Sequence, residues 1–241
     1  MNSEIGQTVP ALEVRDDSVP WRFIDNWIGV ALLAIIDVII FIIMLGQERR
    51  AELAQSSAVV LLELAYLLPV ILIFAWRRIH WKHLRFGKFQ WSTLSVGCGL
   101  LIGSYLIIIL HNALLYLLGV DTQGENIVKL FGELDSPVWF FIVGAIFAPL
   151  VEEIFFRGFL FQGFRARYGW VTAMLLSAAI FAAAHLDLVV LIPTFILGCL
   201  LAYVFHRSNS IWPGILLHFL VNSFGLLGAY FASNYQNFLP T

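Results

Sequence analysis

The stretch VEEIFFRGFL, residues 151–160, decides how this chain is read. Two adjacent carboxylates, Glu152 and Glu153, and one guanidinium, Arg157, stand among Val, Ile, Phe and Leu. The rest of the chain is just as apolar: 60% of its 241 residues are hydrophobic, 12% are charged, and the mean hydropathy is +0.86. Soluble domains carry about 25% charged residues. The composition therefore points to an all-α, polytopic transmembrane helical bundle. A charge at the bilayer centre costs about 2.5–3.5 kcal/mol on insertion scales, so charges there are functional suspects that face the bundle interior.

Working outward from that stretch, a helix needs about 20 mostly apolar residues to cross the bilayer core. By that measure the sequence predicts about seven spans, or eight: roughly 27–45, 57–76, 93–118, 138–161, 171–185, 188–205 and 212–231. The fifth and sixth are joined only by His185, Leu186 and Asp187. Residues 1–26 form an expected cytoplasmic tail without a basic leader, so the first run is read as an uncleaved span. The transmembrane bundle covers 27–231, and 232–241 form a short C-terminal tail. No internal repeat or low-complexity tract is evident.

Orientation follows from the loop cations. The segment RRIHWKHLRFGK, residues 77–88, carries Arg77, Arg78, Lys82, Arg85 and Lys88. Placing it in the cytoplasm puts 11 of the 14 Lys and Arg on that side, Arg15, Arg22, Arg157, Arg165, Arg167 and Arg207 included. Only Arg49, Arg50 and Lys129 remain outside, with the acidic loop 119–137. The N-terminus is thus expected inside and the C-terminus outside, in the plasma membrane if the source is bacterial. The basic segment is expected to rest on anionic membrane lipid; its His80 and His83 are read as interfacial groups. The net charge of −2 implies no nucleic-acid partner. Cys98 and Cys199 lie in apolar runs and read as small hydrophobes rather than a disulfide.

Residues four apart share a helix face. Glu153 and Arg157 are four apart, with the Glu N-terminal, and are expected to neutralise each other. Glu152 is turned about 100° away and lacks a local partner. Packing of helices is the first reading for Glu153 and Arg157, chemistry the first reading for Glu152. Two further patterns join it. FAAAH sets Phe181 and His185 four apart, and HFLVN sets His218 and Asn222 four apart. A carboxylate with an imidazole can activate water, and a second imidazole with an amide can stabilise an oxyanion.

EEIFFR, FAAAH and HFLVN fit the patterns EExxxR, FxxxH and HxxxN. In this order they resemble the CAAX-protease and bacteriocin-processing (CPBP) family of intramembrane endopeptidases, Rce1-like prenyl-protein proteases included, over about residues 138–231. The resemblance implies that Glu152 and His185 activate water, that His218 and Asn222 hold the oxyanion, and that Glu153, Arg157 and Phe181 support the site. It also implies a peptide or lipidated-protein substrate, prenylated or bacteriocin-like. Zn2+ is an alternative to activation by Glu152 alone, with Glu152, His185 and His218 as candidate ligands. The chain has no H-E-x-x-H, the helical zinc signature. No cofactor is otherwise implied.

A crude ruler of 1.5 Å per residue exposes a tension. Glu152 and His185 come out about 20 Å from the cytoplasmic ends of their spans, but His218 only about 10 Å. Either the connection 207–212 dips inward or the helices tilt. Asp37, Glu63, His111 and Asn112 also interrupt apolar runs; Asp37 or Glu63 could counter Arg157. The absence of G-x-S-x-G and G-x-G-D disfavours serine and presenilin-type aspartyl proteases. Competing functions are a proton-coupled transporter and a non-catalytic scaffold or immunity-type protein. A transporter would show paired broken spans in two related halves, whereas the polar motifs here cluster in the C-terminal half.

Overall fold

The computed structural model describes residues 17–45, 51–133 and 137–236. Arg15, Arg49, Arg50, Asp135, the first part of the N-terminal tail and the end of the C-terminal tail lie outside these. Eight helices make up the described chain, with no strand among the described residues: α1 Phe23–Leu45, α2 Ala51–Arg77, α3 Trp91–Leu117, α4 Gln123–Glu133, α5 Pro137–Tyr168, α6 Trp170–Ala184, α7 Leu191–Ser208 and α8 Trp212–Gln236. The seven apolar runs fall, within a few residues, in α1, α2, α3, α5, α6, α7 and α8. In α1, α3, α5, α7 and α8 a stretch is long and apolar enough to cross a membrane. The protein is an integral membrane protein.

The fifth run, expected over 171–185, is a helix of 15 residues shifted by one, about 22 Å long against a core of about 30 Å. It stops at His185 because Leu186 takes a left-handed turn at φ 52. The loop expected over 119–137 contains a helix, α4. Its start is a capping box: Thr122 Oγ1 accepts from the Glu125 N–H, while Glu125 Oε2 accepts from the Thr122 N–H. The pattern T-x-x-E at 122–125 is the sequence signal for it. Its apolar residues Ile127, Val128 and Phe131 then pack on Leu226, Ala229 and Tyr230 of α8.

The charged stretch is the centre of the bundle. Every residue from 151 to 165 is buried, because α5 is packed against by α1, α2, α6, α7 and α8. Phe155, Phe156, Phe159, Phe161 and Phe164 fill the core around it, with Phe74 of α2, Phe181 of α6 and Phe205 of α7. α5 is not a uniform α-helix. Ile142–Phe147 and Ile154–Phe161 are π-helical, a geometry concentrated at functional sites.

The tension over depth resolves at one end of the bundle. After α2, a 3-10 turn at Trp81–Leu84 folds under α5. Leu84 packs on Gly158, and Gln162 donates to the His83 carbonyl at 3.0 Å and accepts from Arg85 Nε at 3.1 Å. The same segment holds the α7–α8 connection. Ile211 N–H donates to the Arg85 carbonyl at 3.1 Å, and Ser210 Oγ donates to the Gly87 carbonyl at 2.7 Å. Ser210 and Ile211 are fully buried. Ile211 is therefore level with Gly158 and not with Arg165. From Gly158 to Glu152 is about 9 Å, and from Ile211 to His218 about 10 Å, so the two side chains meet.

Candidate functional site

α5 contributes Glu152, Glu153 and Arg157, α6 contributes Phe181 and His185, and α8 contributes His218 and Asn222. Arg157 Nη1 donates to Glu153 Oε1 at 2.7 Å, the i,i+4 pair expected from spacing. Its Nη2 donates to the Gly198 carbonyl of α7 at 3.1 Å. The guanidinium also lies 4.6 Å over the Phe181 ring, a cation–π contact that gains from desolvation. Arg157 is thus held from three sides and is only 1% exposed.

His218 stands between the two carboxylates. Its Nε2 is 3.7 Å from Glu152 Oε2, and its Nδ1 is 3.5 Å from Glu153 Oε1. Both separations exceed normal hydrogen-bond length. Glu152 Oε2, Glu153 Oε2, Arg157 Nε and His218 Nδ1 are buried without a hydrogen-bond partner. Natives keep few such atoms, and each calls for an explanation; here four sit in one place. Gly214 of α8 lets the helix approach, since a Cβ there would stand 2.6 Å from Glu153 Oε2.

His185 joins this group through Phe181. The Phe181 ring meets His185 edge-on at 4.9 Å and His218 at 5.8 Å. His185 Nδ1 is 2.8 Å from the Phe181 carbonyl. A carbonyl only accepts, so this bond puts the proton on Nδ1 and leaves Nε2 as the free nitrogen of the neutral ring. Asn222, one turn beyond His218, donates to the Gly144 carbonyl at 2.8 Å, within the first π stretch of α5. One amide N–H remains for another acceptor.

Asp37 and Glu63 do not counter Arg157, whose charge is taken by Glu153. Glu63 acts electrostatically on Glu152 instead, and Asp37 on Glu63. Glu63 Oε2 is buried without a partner. No pattern in the sequence announces the nearness of Glu63 to Glu152, because α2 and α5 are far apart in the chain. Tyr66, one turn after Glu63, carries the contact between α2 and α5 through Phe155 and Phe156.

The zinc ligand set does not assemble. Among the described residues no three His, Cys, Asp or Glu side chains are grouped to hold a metal ion. His185 donates through Nδ1 to backbone and keeps Nε2 free, and His218 stands 3.7 Å from Glu152 and 3.5 Å from Glu153. As arranged, these side chains do not form a three-ligand group.

Fold and site together define a polytopic helical membrane protein with a carboxylate–imidazole centre buried in its bundle. The description "Type II CAAX prenyl endopeptidase Rce1-like" matches residues 134–224. That match takes in all three motifs, EEIFFR, FAAAH and HFLVN, and supports the resemblance to the CAAX-protease and bacteriocin-processing family. It is similar to the "Putative membrane peptidase YdiL" of Bacillus subtilis (strain 168), with 29% identity over 45% of this chain and 45% of that one. An "Uncharacterized 24.3 kDa protein" of Escherichia coli is 34% identical over 41% of this chain and 49% of its own length. The "UPF0177 protein YxdF" of Lactococcus lactis is 29% identical over 43% and 57%. The chain thus spans about half the length of the curated relatives it matches. No solved structure matches it.

Proposed function

We propose that the protein is a membrane-embedded endopeptidase whose general base is Glu152. Water attacks the scissile carbonyl carbon, Glu152 takes the water proton, and the carbonyl oxygen becomes an oxyanion. Glu152 then returns the proton to the leaving amine as the C–N bond breaks. His185 orients the water through its free Nε2, and His218 with the remaining N–H of Asn222 donates to the oxyanion. Glu153 and Arg157 hold His218 and Phe181 in place. The substrate is a membrane-associated or lipidated peptide presented at the face bearing residues 77–88, which lies in the cytoplasm with the N-terminus.

The observation that carries this reading is the group of four buried, partnerless polar atoms on Glu152, Glu153, Arg157 and His218. A carboxylate beside an imidazole with spare hydrogen-bonding capacity suits a reacting group better than a structural pair does. One observation favours a variant of the scheme: His218, not His185, is the imidazole within 4 Å of Glu152. In that variant His218 partners the base and His185 faces the oxyanion.

Purified protein assayed against a peptide library tests both. Glu152→Gln should lower kcat by about 10²–10⁴-fold while leaving the melting temperature unchanged. Undiminished cleavage by Glu152→Gln refutes Glu152 as the general base, and no cleavage by the parent protein leaves transport or scaffolding in its place. Gln can still donate a hydrogen bond but cannot take up a proton. The histidine that faces the oxyanion should therefore tolerate His→Gln better than the one that partners Glu152.

A further inference from the structure

At the end of the bundle where α3 and α8 begin, a cleft of about 400 Å³ opens to the surface. Its walls are Phe86, Gly87, Lys88, Phe89, Trp91 and Trp212. One wall is anchored. Trp212 Nε1 donates to the Phe86 carbonyl at 3.2 Å, and the two rings meet at 6.0 Å. The other wall is Phe89 edge-on to Trp91 at 5.3 Å. Trp91 is 73% exposed. Aromatic residues gather at this depth because an amphipathic ring suits the headgroup layer.

The electrostatics of the cleft are one-signed. No acidic residue occurs in the sequence between Glu63 and Asp121. Lys88 is exposed, and no carboxylate pairs with it among the described residues. Trp91 is also the first residue of a 27-residue helix whose N-cap, Gln90, makes no side-chain cap bond. The positive end of that helix therefore faces the headgroup region. Burial first, then Lys82, Arg85 and His80, holds the His83 imidazole in the preceding turn below its usual value.

We propose that this cleft seats one anionic phospholipid of the adjoining leaflet, its phosphate at Lys88 and the start of α3, its glycerol and first acyl carbons against Phe86, Phe89, Trp91 and Trp212. The charge of the site selects the headgroup. The size and aromatic walls select a lipid over a free ion, which would leave four rings without a partner. The proposal is independent of the proteolytic reading, since no residue of the cleft belongs to the group around Glu152.

Native mass spectrometry of the full chain in detergent tests it, with phosphatidylglycerol and phosphatidylcholine of identical acyl chains as probes. The parent protein should retain one phosphatidylglycerol in preference to phosphatidylcholine. Lys88→Gln should cut that preference about fivefold, the worth of one surface lysine, while Lys88→Arg keeps it. Trp91→Ala should weaken both lipids alike. Equal binding of the two lipids by the parent, or an unchanged preference in Lys88→Gln, overturns the proposal. So does displacement of the lipid by glycerol 3-phosphate, which marks a free-phosphate site, or by an acidic peptide, which marks a protein partner. Melting curves confirm that each variant is folded; these side chains are exposed, so none should move.

Discussion

Replacing Arg157 by leucine isolates the charge balance at the centre of the bundle. Arg157 and Glu153 are 1% and 0% exposed and 2.7 Å apart. Removing the guanidinium leaves the buried Glu153 carboxylate with no permanent counter-charge, its nearest ionisable neighbour being the His218 imidazole at 3.5 Å. Breaking a buried pair from one side costs about 3–5 kcal/mol. At about 2–4 °C per kcal/mol for a chain of this size, the melting temperature should fall by about 6–20 °C. Glu153→Leu should cost a comparable amount, because it strands the cation. The double variant should regain most of the loss, since replacing both partners with apolar groups is often close to neutral. The assay is a double-mutant cycle by thermal or denaturant unfolding in one detergent, and the coupling is the quantity read. Single variants that melt with the parent, or losses that simply add, would refute the argument. Either result would mean that the pair is not the charge-neutral unit described here.

Two further outcomes follow from the same geometry. Gly163→Ala would thrust a methyl group into the Asn26 side chain, which is fully buried and accepts from Trp21 Nε1 at 2.9 Å. Overpacking of about 1–3 kcal/mol should lower the melting temperature by about 2–12 °C; an unchanged melt would mean that α1 and α5 are not in close contact there. Because no three ligands gather around Glu152, chelator treatment should leave cleavage intact and elemental analysis should find zinc well below one equivalent. Stoichiometric zinc, lost together with activity, would show that His185 moves to complete a ligand set.

Much of the site was legible because its parts are local. EEIFFR encodes the Glu153–Arg157 bond through helical spacing alone, and the same spacing leaves Glu152 spare. FAAAH sets the contact of Phe181 with His185 within one turn. HFLVN puts His218 and Asn222 on one face of α8. What was misjudged is non-local. Asp37 and Glu63 were candidates to counter Arg157, yet the guanidinium is paired with Glu153 and the Gly198 carbonyl. α4 is an intermediate case. Its capping box was present in the sequence, but its stability comes from burying Phe131 against α8, a partner about a hundred residues away.

By itself the sequence determined the class and the cast: the apolar runs, and three charged or polar patterns on separate helices. These are decided by hydropathy and by the fixed rise and twist of a helix, which act within a few turns. Only the tertiary structure decided that the cast meets. The depth of His218 depends on where Ser210 and Ile211 are tied, and the tie is to the carbonyls of Arg85 and Gly87, more than a hundred residues earlier. Hydrogen bonds to backbone groups so distant in the chain leave no periodic trace in it, so no count along it could have placed His218 beside Glu152.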